Sequence, residues 1–123
     1  MTMQRQRFDI AADTGVWTDT GVSFSGAILQ IAWNPTTPDT GGDLQIALKP
    51  LSGGDTGPNW VVYSNNDCLG ADFIQAPRQR SFGSDGAADT GAVPVVAAGD
   101  RLRVKVTPGG AAVVGKLYIW SAD

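Results

Sequence analysis

The chain has 123 residues, 42% of them apolar, and a net charge of −3, enough for one domain that buries about two-thirds of its unfolded surface. All of its twelve acidic residues are aspartate, lysine occurs only at Lys49, Lys105 and Lys116, and histidine is absent. Glutamate and lysine dress the wet faces of helices, imidazole is the commonest base and metal ligand, and nucleic acid selects basic surfaces, so these counts argue against helices, His-based chemistry and nucleic-acid binding.

Taken in order, residues 1–6 are polar and basic and read as an N-terminal arm. From Arg7 to Ala12 an alternation begins, with Phe8 and Ile10 on one side. Asp13-Thr14-Gly15 turns the chain, Val16 and Trp17 follow, and Asp19-Thr20-Gly21 turns it again. Val22 and Phe24 lead into Ala27–Trp33, a strong strand region in which Gly26 marks a bulge or a break. After a loop at 34–42, Leu44, Ile46 and Leu48 alternate with polar residues over 43–49. A second loop, 50–59, precedes the strand 60–64. Asn65-Asn66-Asp67 is a turn, and 68–74 is a short strand or an irregular crossing.

The stretch 75–91 has no periodicity and is long for a loop in a compact domain, the kind of segment that often carries function. Val93–Ala97 is a short strand. The C-terminal stretch is the clearest of all: Leu102, Val104 and Val106 alternate with Arg101, Arg103 and Lys105, Pro108-Gly109-Gly110 interrupts, and Val113–Trp120 resumes. This pattern predicts a β-hairpin with a loop longer than two residues. The total is about eight strands and no helix. The predicted fold is all-β, a two-sheet β-sandwich of jelly-roll type, with a Greek-key β-barrel as the alternative, and residues 1–123 form a single domain.

Asp-Thr-Gly occurs five times, beginning at Asp13, Asp19, Asp39, Asp55 and Asp89. The triplet is also the signature of aspartic proteases, where two such aspartates share a proton. Here none of the five ends an apolar strand, and five copies exceed the two required. The expected role is a turn: Asp accepts a nearby backbone N–H and Gly supplies positive φ. Asp67 with Asp72, or Asp39 with Asp43, could offer oxygens to calcium, but neither pair has the spacing of a calcium loop. The single cysteine, Cys68, has no imidazole partner and no disulfide partner within the chain. No phosphate loop or dinucleotide fingerprint is present. The expectation is a protein with no catalytic set, no cofactor and no metal.

Four tryptophans, at 17, 33, 60 and 120, with Tyr63 and Tyr118, could form a sugar-stacking platform, but core or interface packing is the expected use. Trp33 and Trp120 are expected at strand ends. The N-terminus lacks the apolar run of a secretory signal, and no stretch has the length of a membrane-spanning helix. The chain is therefore expected to be made in the cytosol and to have no membrane partner.

The stretches FSGAILQIAW, NNDCLGADF and AAGDRLRVKVTPGGAAVVGKLYIW give the chain a resemblance to small structural proteins of tailed-bacteriophage virions. In size and strand pattern it is similar to the jelly-roll cement, or decoration, proteins. The resemblance implies a non-enzymatic role, with the protein bound to the outer face of the major capsid protein shell and stabilising it. It also implies assembly in the host cytoplasm, a virion location and a homo-oligomer, a dimer or trimer that bridges neighbouring capsomers. The segments expected to meet the capsid are the arm, with Arg5 and Arg7, and the loop 75–91, with Arg78, Arg80 and Phe82, because arginine forks onto carboxylates and aromatics anchor interfaces. The other reading is a host-surface or glycan-binding module of a phage tail or fibre.

Overall fold

The structure is a computed structural model that describes residues 3–12, 15–49, 60–82, 88–110 and 112–122. Eight strands run in chain order: β1 (Met3–Ala12), β2 (Trp17–Thr37), β3 (Asp43–Lys49), β4 (Trp60–Asn65), β5 (Phe73–Gln75), β6 (Arg78–Phe82), β7 (Ala88–Thr107) and β8 (Val113–Ala122). No helix occurs among the described residues. All pairings are antiparallel, and the order across the sheet is β1-β8-β2-β7-β3-β4, with β5 added to β2 and β6 to β7. The all-β expectation therefore stands. The hydrogen bonding is continuous through all eight strands, and the sheet is not closed into a barrel.

Continuity comes from the length of β2 and β7. One edge of β2 pairs with β7 from Trp17 to Ile28, with register shifts, while its other edge pairs with β8 from Ala27 to Thr37. One strand thus serves two layers, as in sandwiches whose corners are made by strands that bend from one sheet into the other. The first layer is β1, β8, the later part of β2 and β5. The second is the start of β2, the end of β7, β3 and β4. Gly26, with φ +91°, sits where β2 passes from one to the other, a backbone angle that residues with a β-carbon rarely adopt. The expectation of a bulge or break at Gly26 is met by a bend inside one unbroken strand.

The inward faces of both layers close on a single core. Ile28, Ile31, Trp33, Val113, Leu117 and Ile119 come from the first layer. Leu44, Ile46, Leu48, Leu102, Val104 and Val106 come from the second. Each of these fully buried aliphatic side chains contributes about 1.5–3 kcal/mol through removal from water. One buried and one exposed polar contact add to this packing. The Trp33 indole Nε1 donates to the Leu69 carbonyl at 3.3 Å, and the Tyr63 hydroxyl on β4 donates to Gln75 Oε1 on β5.

Three expectations are corrected. Residues 3–6 are not an arm: Met3 to Gln6 pair with Ala122 to Ile119, because β8 offers a free ladder edge and β1 fills it. The C-terminal strands exist as predicted but do not form a hairpin. β2 lies between β7 and β8, so 108–112 crosses from the second layer to the first. Both strands have a buried face, and periodicity reports burial rather than which neighbour completes the ladder. The described residues of the predicted loop 75–91 are largely strand: Arg78–Phe82 pairs with the start of β7, Arg78 opposite Pro94 and Phe82 opposite Ala88. Asp89 therefore lies within β7 and not in a turn.

The Asp-Thr-Gly triplets at Asp19 and Asp39 do use aspartate as expected. Asp19 Oδ1 accepts the Gly21 N–H at 2.8 Å inside a bulge of β2, and Gly21 has φ +75°. Asp39 Oδ1 accepts the Gly41 N–H at 3.1 Å. The triplet at Asp55, and Asp13 with Thr14, lie outside the described residues.

Candidate functional site

Alternation along β8 sends Val113, Leu117 and Ile119 into the core and turns Lys116, Tyr118 and Trp120 outward. The register carries that outward face across the first layer in rows. Arg7, Tyr118, Ala32 and Ile74 lie opposite one another on β1, β8, β2 and β5. The next row holds Arg5, Trp120 and Gln30, and the row on the other side holds Asp9, Lys116 and Asn34. Cross-strand neighbours at this spacing touch. Tyr118 and Trp120 lie with ring centroids 6.2 Å apart and planes tilted by 34°. The Arg5 guanidinium stands 5.6 Å from the Tyr118 ring centroid, within cation–π range.

Two hollows open on this face. The larger, about 710 Å³, is lined by Ala32, Trp33, Asn34, Asp72, Phe73, Ile74 and Tyr118. At one end the Asn34 amide donates to Asp72 Oδ2 at 3.2 Å, and both residues are exposed. Ile74 is 65% exposed, far more than an aliphatic side chain with packing duties. The smaller hollow, about 380 Å³, is lined by Met3, Leu29, Gln30, Ala76 and Trp120. It joins the start of β1 to the segment that enters β6.

The residues singled out from sequence fall as follows. Arg5 and Arg7 are exposed on β1, and Arg7 Nε lies 3.5 Å from Asp9 Oδ1. Arg78, Arg80 and Phe82 lie on β6, whose side chains are outside the described set; Ala76, two residues before β6, lines the smaller hollow with Met3. The two arginine-bearing segments, far apart in sequence, thus approach the same end of the molecule. Of the tryptophans, only Trp33 is in the core, at 1% exposure in mid-strand rather than at a strand end. Trp60 is exposed on β4, and Trp17 lies beneath the Lys105 ammonium, 5.9 Å from its ring centroid.

The aspartates weighed as calcium ligands are occupied by local bonds. Asp43 Oδ1 accepts the Asp67 N–H at 2.9 Å, Asp39 Oδ2 accepts the Gly109 N–H at 2.8 Å, and Asp72 holds Asn34. Among the described residues no three His, Cys, Asp or Glu side chains gather as a metal site. Burial pushes the Cys68 thiol above its ordinary pKa, and its Sγ donates to the Asn65 carbonyl at 3.4 Å. Burial likewise raises the Tyr63 hydroxyl. Both effects favour the neutral, unreactive form.

What the sequence missed is the meeting of Asn34, Asp72 and Tyr118. Tyr118 and Trp120 stood out in sequence only as members of an aromatic set expected to pack in the core or an interface. Asp72 was visible only as one of twelve aspartates, and nothing local ties it to Asn34.

No family model and no curated protein matches the chain. One structural likeness covers 98% of this chain and 87% of the other, with a TM-score of 0.37 and 15% identity. The other chain belongs to a structure described as "Bacillus endospore appendages form a novel family of disulfide-linked pili". A likeness at that score carries no argument about this protein.

Proposed function

We propose that this chain is a non-catalytic structural protein of a tailed-phage particle, a cement protein that binds the outer face of the major capsid protein shell and stabilises it. The observation that supports the reading is the convergence at one end of the molecule. Met3 and Ala76 line one hollow with Trp120, Arg5 stands opposite Trp120 in the same row, and β6 with Arg78 and Arg80 begins two residues beyond Ala76. An aromatic centre with arginine at its border is the anatomy of a protein interface. Two copies related by symmetry would present two such ends and bridge neighbouring capsomers. No nucleic acid and no membrane enters the proposal, and the location it implies is the virion, assembled in the host cytoplasm.

The test is attachment to purified shells that lack the protein. Deleting residues 2–7 would strip half of β1 from β8 and confuse folding with binding, so side-chain changes are preferred. Arg5→Ala with Arg7→Ala, and separately Arg78→Ala with Arg80→Ala, should leave a folded domain but lower occupancy and the temperature of DNA release. Folded variants that decorate at wild-type occupancy would remove these segments from the interface.

A further inference from the structure

We propose that the larger hollow on the outer face is a carbohydrate site that takes one neutral pyranose ring. The proposal stands beside the capsid reading and does not rest on it.

A pyranose has an apolar face of C–H groups and a rim of hydroxyls. A site for it needs an aromatic or aliphatic wall and planar polar groups set to the side. The hollow supplies both. Tyr118, Ala32 and Ile74 form one row of the outward face, and Tyr118 is held in place by Trp120 on one side and Arg5 on another. A ring so fixed presents its surface at low entropic cost. Asn34 and Asp72 stand at one end with free hydrogen-bonding capacity after their mutual bond: a carboxylate offers several lone pairs, and the Asn34 amide keeps a second N–H and its carbonyl. Sugar hydroxyls both donate and accept, so they fit this mixed pair.

The wall residues also explain exposure that the fold does not require. Ile74 is 65% exposed and lines the hollow together with the paired Asn34 amide and Asp72 carboxylate. An apolar pocket with a few convergent polar groups is the usual form of a small-ligand site. Charge selects among sugars. Among the described residues lining the hollow Asp72 is the one charged group, while Arg7 and Lys116 stand in the adjoining ladder positions, opposite Tyr118 and Asn34. A carboxylate placed against Asp72 would meet repulsion, whereas hydroxyls bond to it, so the ligand class is neutral.

The experiment uses the full chain with glucose, galactose, mannose, N-acetylglucosamine and their β-linked disaccharides as probes. Saturation-transfer NMR reads which protons touch the protein, and a fluorescence titration reads affinity. At least one probe should bind, with transfer concentrated on the C–H face of one ring. Asp72→Ala, on an exposed segment, should weaken it about tenfold or more through loss of a charge-assisted bond. Tyr118→Ala should abolish the transfer, and Tyr118→Phe should keep it. Near-ultraviolet circular dichroism confirms that each variant is folded. Absence of binding by every probe at millimolar concentration overturns the proposal, and so does binding that Asp72→Ala leaves unchanged. Shell occupancy, measured separately, should not change with Asp72→Ala, so failure of one reading is distinguishable from failure of the other.

Discussion

The indole of Trp33 lies against Gly115 on the neighbouring strand, so close that a β-carbon built on Gly115 would fall 2.6 Å from Trp33 Cζ2 and 2.9 Å from the Asn34 carbonyl oxygen. Gly115 stands opposite Pro35 in the β2–β8 ladder and opposite Ile10 in the β1–β8 ladder. The absence of a side chain there is what lets the largest residue of the core lie within the first layer. The same indole is pinned by its bond to the Leu69 carbonyl.

Gly115→Ala should therefore destabilise the fold by about 1–3 kcal/mol, the cost of forcing extra volume into a packed core. The midpoint of urea unfolding should fall with its slope unchanged. An unchanged midpoint would mean that Trp33 has room to move.

Asp39 ties three segments at one end of the sandwich. Its two carboxylate oxygens hold the Gly41 and Gly109 amides, its N–H donates to the Leu69 carbonyl at 3.2 Å, and its carbonyl accepts the Gly42 N–H at 3.0 Å. Asp39→Ala should cost about 1–3 kcal/mol, the penalty of losing bonds to a charged acceptor. Asp39→Asn should cost less, since one carbonyl oxygen remains to accept. Hydrogen exchange at Gly41 and Gly109 should speed up in the alanine variant and stay near wild type at Gly21.

Much of the strand content was legible in sequence because alternation is a local signal. Leu44, Ile46 and Leu48 and then Leu102, Val104 and Val106 announce their buried faces, and all six are in the core. Pairing was not legible. Which edge β8 meets depends on where β2 bends, and a bend at Gly26 reads in sequence like any strand interruption. Arg78 to Phe82 reads as loop because its residues are polar and β6 pairs only with the start of β7. The outer hollow was not visible: Tyr118 and Trp120 belonged to an aromatic set expected in the core or an interface, and Asn34 and Asp72 meet only through the tertiary fold.

Asp19 predicts a pH dependence. Its carboxylate accepts the Gly21 N–H and faces Arg101, whose Nε is 3.1 Å from Oδ2, with Arg103 Nη2 at 3.9 Å. These interactions, the backbone bond first, hold its pKa below the ordinary value of 3.8. A carboxylate with a lowered pKa in the folded state adds stability that is present above the unfolded-state value and lost as pH falls through the folded-state value. Unfolding free energy should thus decline as the solution is acidified below about pH 4, the ordinary range of aspartate. Asp19→Asn should be less stable than wild type at neutral pH, and the gap should narrow in acid. A gap that stays constant across that range would show that the charge of Asp19 does not contribute.

The measurement that bears most directly on the proposed role is an image of the protein on purified particles by electron cryomicroscopy, at a resolution that shows strands. The account predicts density on the outer face of the capsid shell, with the end that carries Met3, Ala76 and β6 against the major capsid protein. Particles whose shells carry no such density, or density in which that end faces solvent, would contradict it.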